Sequence, residues 1–206
     1  MRVRVKICGI TRLEDALAAA RLGAHAVGFV FHPPSPRYIE PASAAAIVKK
    51  LPAFLTTVGV FVDLDQETVR CTAALSGVDV VQLHGSESPE YCQGLGLKWI
   101  KSFRIGSPED LKLLAPYGAD RDFLLDSSIE GLPGGTGRTF NWEWAAGAGR
   151  YGRIILAGGL TPENVARAVA LVNPVGVDVS SMVEKAPGIK DVDKMAAFIN
   201  AVRNID

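Results

Sequence analysis

Five side chains in this sequence are placed where they could hold or move a proton. Cys8 ends the apolar run VRVKIC, and Lys6 stands two residues before it. His84 ends VDVVQLH, Asp126 closes DFLLDS in all but its last residue, and Asp178 lies inside GVDVSS. A thiolate can take a proton, a carboxylic acid can give one, and an imidazole can do either. Each residue alone has a plain reading. A lone cysteine is most often a small core residue, and an aspartate at a strand end is often a turn former. Their common position at the ends of β-like runs argues for a shared site. Side chains alternate sides along a strand. Arg4, Lys6 and Cys8 therefore share one face and Val3, Val5 and Ile7 the other. Gln82 and His84 share a face, as do Asp122, Leu124 and Asp126, and Asp178 and Ser180.

The elements that must position these groups follow a regular alternation. Eight short Val- and Ile-rich runs, VRVKIC, AHAVGFVF, LTTVGVFV, VDVVQLH, KWIKSF, DFLLDS, RIILAGG and GVDVSS, are each followed by a helical pattern. Strand–helix alternation predicts a parallel sheet with helical crossovers. Eight units predict a single-domain (β/α)8 TIM barrel, an α/β fold, over residues 1–206. An open doubly wound sheet has the same periodicity, but its usual GxGxxG after the first strand is absent. Helix starts are expected at a Thr11–Glu14 capping box and at Ser88-Pro89-Glu90, Ser107-Pro108-Glu109 and Thr161-Pro162-Glu163. Gly23, Gly77 and Gly118 are expected to stop helices. In a barrel the apolar strand faces meet the helices and the polar faces turn inward. Cys8, His84, Asp126 and Ser180 should then converge at the C-terminal mouth.

Composition narrows the partners. The 206 residues carry 22 Lys plus Arg against 22 Asp plus Glu, a net charge of +0, which gives no electrostatic argument for nucleic acid or an anionic membrane. No apolar run is long enough for a membrane helix, and MRVRVK is not a signal peptide. Three scattered cysteines fit a reducing compartment, so a cytoplasmic protein is expected. With three histidines and no CxxC pair, no metal site is expected.

Three clusters after the sixth, seventh and eighth runs suit an anion. They are LPGGTGRTFNW with Gly134, Gly135, Thr136 and Gly137, LAGGLTPENV with Gly158 and Gly159, and DVSSMVE with Ser180 and Ser181. Glycines let backbone N–H groups crowd a phosphate, and barrels frequently bind one beside strands seven and eight. After the second run, the prolines of HPPSPRYI stiffen a loop that carries Arg37. Held there, Arg37 could grip a carboxylate with a bidentate pair. Lys6 invites two readings. It could favour the Cys8 thiolate as a nearby cation, or pair with Asp178, and both can hold together.

Taken in order, KICGIT, SPRYI, VGVFV, VQLHG, LLDS, GGTGRTFNW, LAGGLTPENV, VDVSS and PGIKD resemble the phosphoribosylanthranilate isomerases of tryptophan biosynthesis along nearly the whole chain. The resemblance implies a barrel and an Amadori rearrangement of N-(5'-phosphoribosyl)anthranilate. It implies Cys8 as general base, Asp126 as general acid, Arg37 at the anthranilate end and the three clusters at the phosphate. Lys6, His84 and Asp178 are expected to contact substrate. No cofactor is expected, because the substrate's own Schiff base serves as electron sink. The expected partner is that small phosphosugar alone, bound by a monomer or homodimer. Two other readings remain. The related histidine-pathway isomerase would be expected to carry aspartate in place of Cys8. A barrel that binds a phosphosugar without turnover is favoured only by Met182, which stands where the family usually has glycine. At positive φ that methionine would be strained by about 1 kcal/mol or more and would raise KM.

Overall fold

A computed structural model describes residues 3–126 and 142–205. Gly134, Gly135, Thr136 and Gly137 lie outside the described residues. Eight parallel strands close into a barrel in sequence order, with β8 hydrogen-bonded back to β1. The strands are β1 (Arg4–Ile7), β2 (Ala26–Val30), β3 (Thr56–Phe61), β4 (Val80–Leu83), β5 (Trp99–Arg104), β6 (Asp122–Asp126), β7 (Arg153–Leu156) and β8 (Gly176–Val179). Outside them run α1 (Leu13–Leu22), α2 (Pro41–Val48), α3 (Gln66–Ser76), α4 (Pro89–Gly94), α5 (Val165–Val172) and α6 (Val192–Arg203). Among the described residues no helix is long and apolar enough to cross a membrane.

The period-two pattern decides the layering. Val5, Ile7, Val27, Phe29, Leu83, Phe123, Leu125 and Val177 join the helices in one continuous apolar layer outside the barrel. Inside, Val58, Ile100, Leu124 and Ala157 form a separate small cluster, with Ala26, Val80 and Ile155 packed against it. One pleat further toward the C-terminal strand ends, the interior turns polar: Lys6, Gln82, Ser102 and Asp178 are all buried there. The expected division of polar and apolar faces is the one observed.

Several local expectations are corrected. Thr11 does not cap α1; its hydroxyl donates to the Gly188 carbonyl, and the cap position falls to Arg12. The reason is a feature the periodicity does not reveal. After β8 the chain makes an antiparallel hairpin, β9 (Glu184–Ala186) and β10 (Ile189–Lys190), and Thr11 ties down its turn. Nor does Thr161 cap α5. Asn164 Oδ1 accepts from the Thr161 N–H at 2.7 Å and its Nδ2 donates to the Gly159 carbonyl at 2.9 Å, so the helix starts three residues later than expected. The segment Pro108–Tyr117 winds as 3₁₀ rather than α. Ser88 caps α4 as expected, accepting from the Tyr91 N–H, and Gly23 and Gly77 end α1 and α3 with φ of 90° and 72°.

The loop after β4, which carries His84, is fastened from outside the barrel. Lys101 Nζ lies 3.2 Å from Glu87 Oε2 and donates to the carbonyls of Leu83, Gly85 and Ser102. Glu87 in turn accepts from the N–H groups of Asp63 and Gly85. Removing one member of a buried pair strands the other charge, at about 3–5 kcal/mol. Lys101→Met should therefore lower the urea midpoint sharply, and adding Glu87→Leu should recover a large part of the loss. Equal midpoints for wild type and the single variant would show that the pair does not hold the loop.

Candidate active site

The interior polar groups form one connected chain. Lys6 Nζ is 2.9 Å from Asp178 Oδ1 and 2.9 Å from Gln82 Oε1. Gln82 Nε2 is 3.0 Å from His84 Nδ1, and His84 Nε2 is 3.5 Å from Asp126 Oδ2. Cys8 follows β1 and is held by backbone bonds to Val179 O and by the Ser180 hydroxyl, which donates to the Cys8 carbonyl at 3.1 Å. Both readings of Lys6 hold: it pairs with Asp178 and it also stands beside the thiol.

The electrostatics of Cys8 are a contest. Burial pushes its thiol up, the Lys6 cation pulls it down, and the Asp178 carboxylate pushes up again. Burial prevails, so the resting group is a thiol with its pKa above the usual range. Lys6 keeps its proton. Burial pulls it down, but Asp178 and Cys8 more than offset that and raise it to about 12.

Gly28 is a site residue that the motifs do not reveal. A Cβ placed there would sit 2.8 Å from Cys8 Sγ and 3.2 Å from Lys6 Nζ, so only glycine lets these two groups share the space across β1 and β2. The signal in the sequence is a glycine in the middle of a strand, AVGFV, which marks a close approach.

Arg37 departs from its expected use. Its Nε donates to Glu184 Oε1 at 2.9 Å and its Nη2 to Oε2 at 2.6 Å, so the bidentate fork is filled from within the protein. The guanidinium has five N–H donors, and a substrate carboxylate would have to use those on its other edge. Glu184 also accepts from Lys190 Nζ at 2.7 Å, and Lys190 donates to the Ser180 carbonyl at 3.2 Å. Burial raises the Glu184 carboxyl, but Arg37 and Lys190 together hold it below its ordinary range. Glu184 and Lys190 lie in the SSMVE and PGIKD motifs, and only the folded hairpin shows that they face each other.

Among the phosphate candidates, Gly158 and Gly159 have φ of +81° and +64°. A backbone without side chains lets N–H groups come close to an anion, and these two glycines hold conformations that other residues rarely adopt. Among the described residues, a Cβ on Gly159 would meet nothing within 4 Å. Ser180 begins a 3₁₀ turn over Ser181–Val183. Met182 lies in that turn and is not among the non-glycine residues with positive φ, Asp63 and Asn173. The expected strain is absent, and its side chain is exposed.

Large cavities lie at both ends of the barrel. One of about 670 Å³ opens at the N-terminal end among Arg4, Arg121, Asp122 and Arg153, where Lys6 is the only group of the polar chain to reach it. Another of about 680 Å³ lies on the C-terminal side, lined by His84, Asp63, Ser102 and Arg104. Cys8, Asp126, Ser180 and the glycine pair all lie at C-terminal strand ends, on one mouth of the barrel.

The profile of the family N-(5'-phosphoribosyl)anthranilate (PRA) isomerase matches residues 5–201. A protein of Geobacter sp. (strain M21) carrying that name is 50% identical over 202 residues, 98% of each chain. The crystal structure of phosphoribosyl anthranilate isomerase from Thermotoga maritima is 42% identical, with a TM-score of 0.92 over 97% of this chain and 98% of that one. Another solved structure of the same kind, 41% identical with a TM-score of 0.86 over 97% and 98%, holds reduced 1-(o-carboxyphenylamino)-1-deoxyribulose 5-phosphate.

The Arg37–Glu184–Lys190 cluster yields a double expectation. Glu184→Gln leaves two cations facing a neutral amide, and should cost about 3 kcal/mol or more and raise KM. The depressed Glu184 pKa means that its stabilisation is full above the ordinary value of 4.5 and is lost as pH falls through the folded value. The variant's stability should therefore fall less steeply than wild type below that pH. Parallel urea titrations between neutral pH and pH 3 check both points.

Proposed function

The chain belongs to the N-(5'-phosphoribosyl)anthranilate isomerase family, and from that premise we propose that Cys8 is its general base and Asp126 its general acid. The reaction is the step of tryptophan biosynthesis that turns N-(5'-phosphoribosyl)anthranilate into 1-(2-carboxyphenylamino)-1-deoxyribulose 5-phosphate. It is an aldose–ketose isomerisation by acid and base. The proposal concerns which residues of this chain do it.

Asp126 donates a proton to the furanose ring oxygen as the C1–O bond breaks. The anthranilate nitrogen supplies its lone pair and becomes the iminium of an open-chain Schiff base. Cys8, its thiol proton lost to solvent so that it stands as the thiolate, then takes the C2 proton. The C–H electrons form C1=C2, and the iminium π pair returns to nitrogen, giving an enolamine that tautomerises to the ketose. The iminium is the electron sink, and its positive charge lies next to the bond that Cys8 must break.

That charge answers the difficulty posed by the buried thiol. The resting site keeps Cys8 protonated because burial outweighs Lys6. A cationic intermediate in the mouth adds a second positive charge and favours the thiolate when it is needed. Lys6 and Asp178 act as positioning residues behind it. Arg37 offers its outer edge to the anthranilate carboxylate. Gly158, Gly159, Ser180 and Ser181, with Gly134, Gly135, Thr136 and Gly137, take the phosphate. The whole chain works as one (β/α)8 domain. With three free cysteines, Cys71 among them exposed, the proposed location is the reducing cytoplasm.

The observation that carries this reading is the convergence of Cys8 and Asp126 on one mouth, joined through Lys6, Gln82 and His84. Turnover followed by anthranilate fluorescence tests it. Cys8→Ala and Asp126→Asn should each lower kcat by about 10²-fold or more with the fold intact. Either variant keeping near-wild-type kcat would remove that residue from the mechanism.

The pH profile tests the electrostatic half. Because the folded thiol lies above its ordinary range, kcat/KM should climb with pH through the thiol range. Lys6→Met removes the largest influence favouring the thiolate and leaves burial and Asp178 opposing it. The rising limb should then move to higher pH. An unmoved limb would mean that Lys6 does not tune Cys8.

A further inference from the structure

We infer that Gln82 is a positioning residue that fixes His84 as the neutral Nε2–H tautomer, so that Asp126 faces an N–H donor and not an imidazolium. The inference rests on Asp126 being the acid, as proposed above. It starts from Lys6, whose ammonium has donors and no acceptor. The Gln82 atom 2.9 Å from Lys6 Nζ must therefore be the amide oxygen. An amide has one oxygen and one nitrogen, so the atom turned toward His84 must be Nε2, which only donates. That settles by chemistry an orientation that ordinarily has to be assigned. Gln82 is 2% exposed, and water cannot readily replace either contact.

The next step follows from the 3.0 Å between Gln82 Nε2 and His84 Nδ1. Nδ1 must accept, so it carries no proton, and the ring proton sits on Nε2. Nε2 is the atom 3.5 Å from Asp126 Oδ2. Protonating Nδ1 would set two donors against each other inside the barrel, with the cost of an unmade buried hydrogen bond. Among the described residues, the charged groups around this chain are Lys6 on β1, Asp178 on β8 and Asp126 on β6, with Asp63 and Arg104 lining the adjoining cleft. Of these, Lys6 fixes the polarity, because it alone touches Gln82.

The polarity matters to the reaction. A general acid must keep its proton until the ring oxygen takes it, and a cation beside a carboxyl favours early loss. A neutral N–H orients Asp126 without that penalty. Lys6 thus serves both ends of the site. It stands beside the base directly and sets the state of the acid's neighbour through one amide.

The experiment is ¹⁵N-detected NMR of the histidine rings in the whole protein at neutral pH. His84 would be assigned by the loss of its signals in His84→Gln, since His25 and His32 also report. Wild type should show an unprotonated Nδ1 and a protonated Nε2. A protonated Nδ1, in either the other tautomer or an imidazolium, would overturn the inference without any need for a variant to fold. Gln82→Glu supplies the converse. A carboxylate there accepts from both sides, so His84 Nδ1 should become protonated. kcat should then fall about 10-fold or more while KM changes far less. Gln82→Met, which removes both bonds, should leave a mixed tautomer. A merely structural glutamine would give equal kcat losses in both variants with the ring tautomer unmoved, and that result also rejects the inference. Because the tautomer is read without turnover, it can stand if Asp126 is not the acid, and it can fail if Asp126 is.

Discussion

The buried pair of Lys6 and Asp178 is the constraint on which the site depends. The two are register partners across the seam where β8 meets β1. They lie at the same height inside the barrel, 2.9 Å apart and shielded from water. A lysine cannot stay charged there alone, because desolvation costs several kcal/mol. Asp178 supplies one partner and Gln82 another. The strand that closes the barrel therefore also keeps a cation under the mouth. Cys8 one pleat above, Gly28 across the adjoining strand and the His84–Asp126 pair all take their places from that cation.

The arrangement is hard to justify on stability alone. Replacing a buried ion pair with apolar residues of like volume is often neutral or stabilising. The lower interior shows the apolar solution, with Val58, Ile100, Leu124 and Ala157 filling the space without a polar atom between them. Nearer the mouth, β1, β4 and β8 instead present Lys6, Gln82 and Asp178. The change falls where side chains begin to reach the mouth. An apolar plug there would remove the Lys6 cation, the largest influence that opposes burial at the Cys8 thiol.

Much of this was legible in the sequence, and what was missed has a physical pattern. Eight runs with period two reveal the strands, and the parity of Lys6–Cys8, Gln82–His84 and Asp178–Ser180 reveals which side chains point inward. These are local properties of a pleated chain. The pairing of Lys6 with Asp178 could be named because both lie on inward faces of strands that must meet at the seam. Contacts made by loops were not legible. Arg37 was expected to hold an external carboxylate, yet Glu184 supplies an internal one across 147 positions of sequence. Thr11 has the spacing of a capping box but is drawn to a hairpin that no periodicity announces. Met182, where the family usually has glycine, was expected to be strained if that position had positive φ. Its backbone does not need the left-handed region, so the substitution carries no such cost.

Two polar networks meet at Ser180, and their division of labour explains why the mouth can be both rigid and reactive. The outer one, Arg37–Glu184–Lys190, is tightly paired, and Lys190 Nζ reaches the Ser180 carbonyl. The inner one reaches Ser180 from the other side, through the hydroxyl bond to the Cys8 carbonyl. The outer network ties the loop that carries Arg37 to the hairpin after β8. Its two cations share one carboxylate, and the Lys190 charge also favours the Cys8 thiolate, behind Lys6. The inner chain is matched only as far as Lys6 and Asp178. Beyond them it runs through a neutral amide and an imidazole to the Asp126 carboxyl. On the proposed reading, the outer network serves the substrate's ends and the inner chain its middle, where the bonds change.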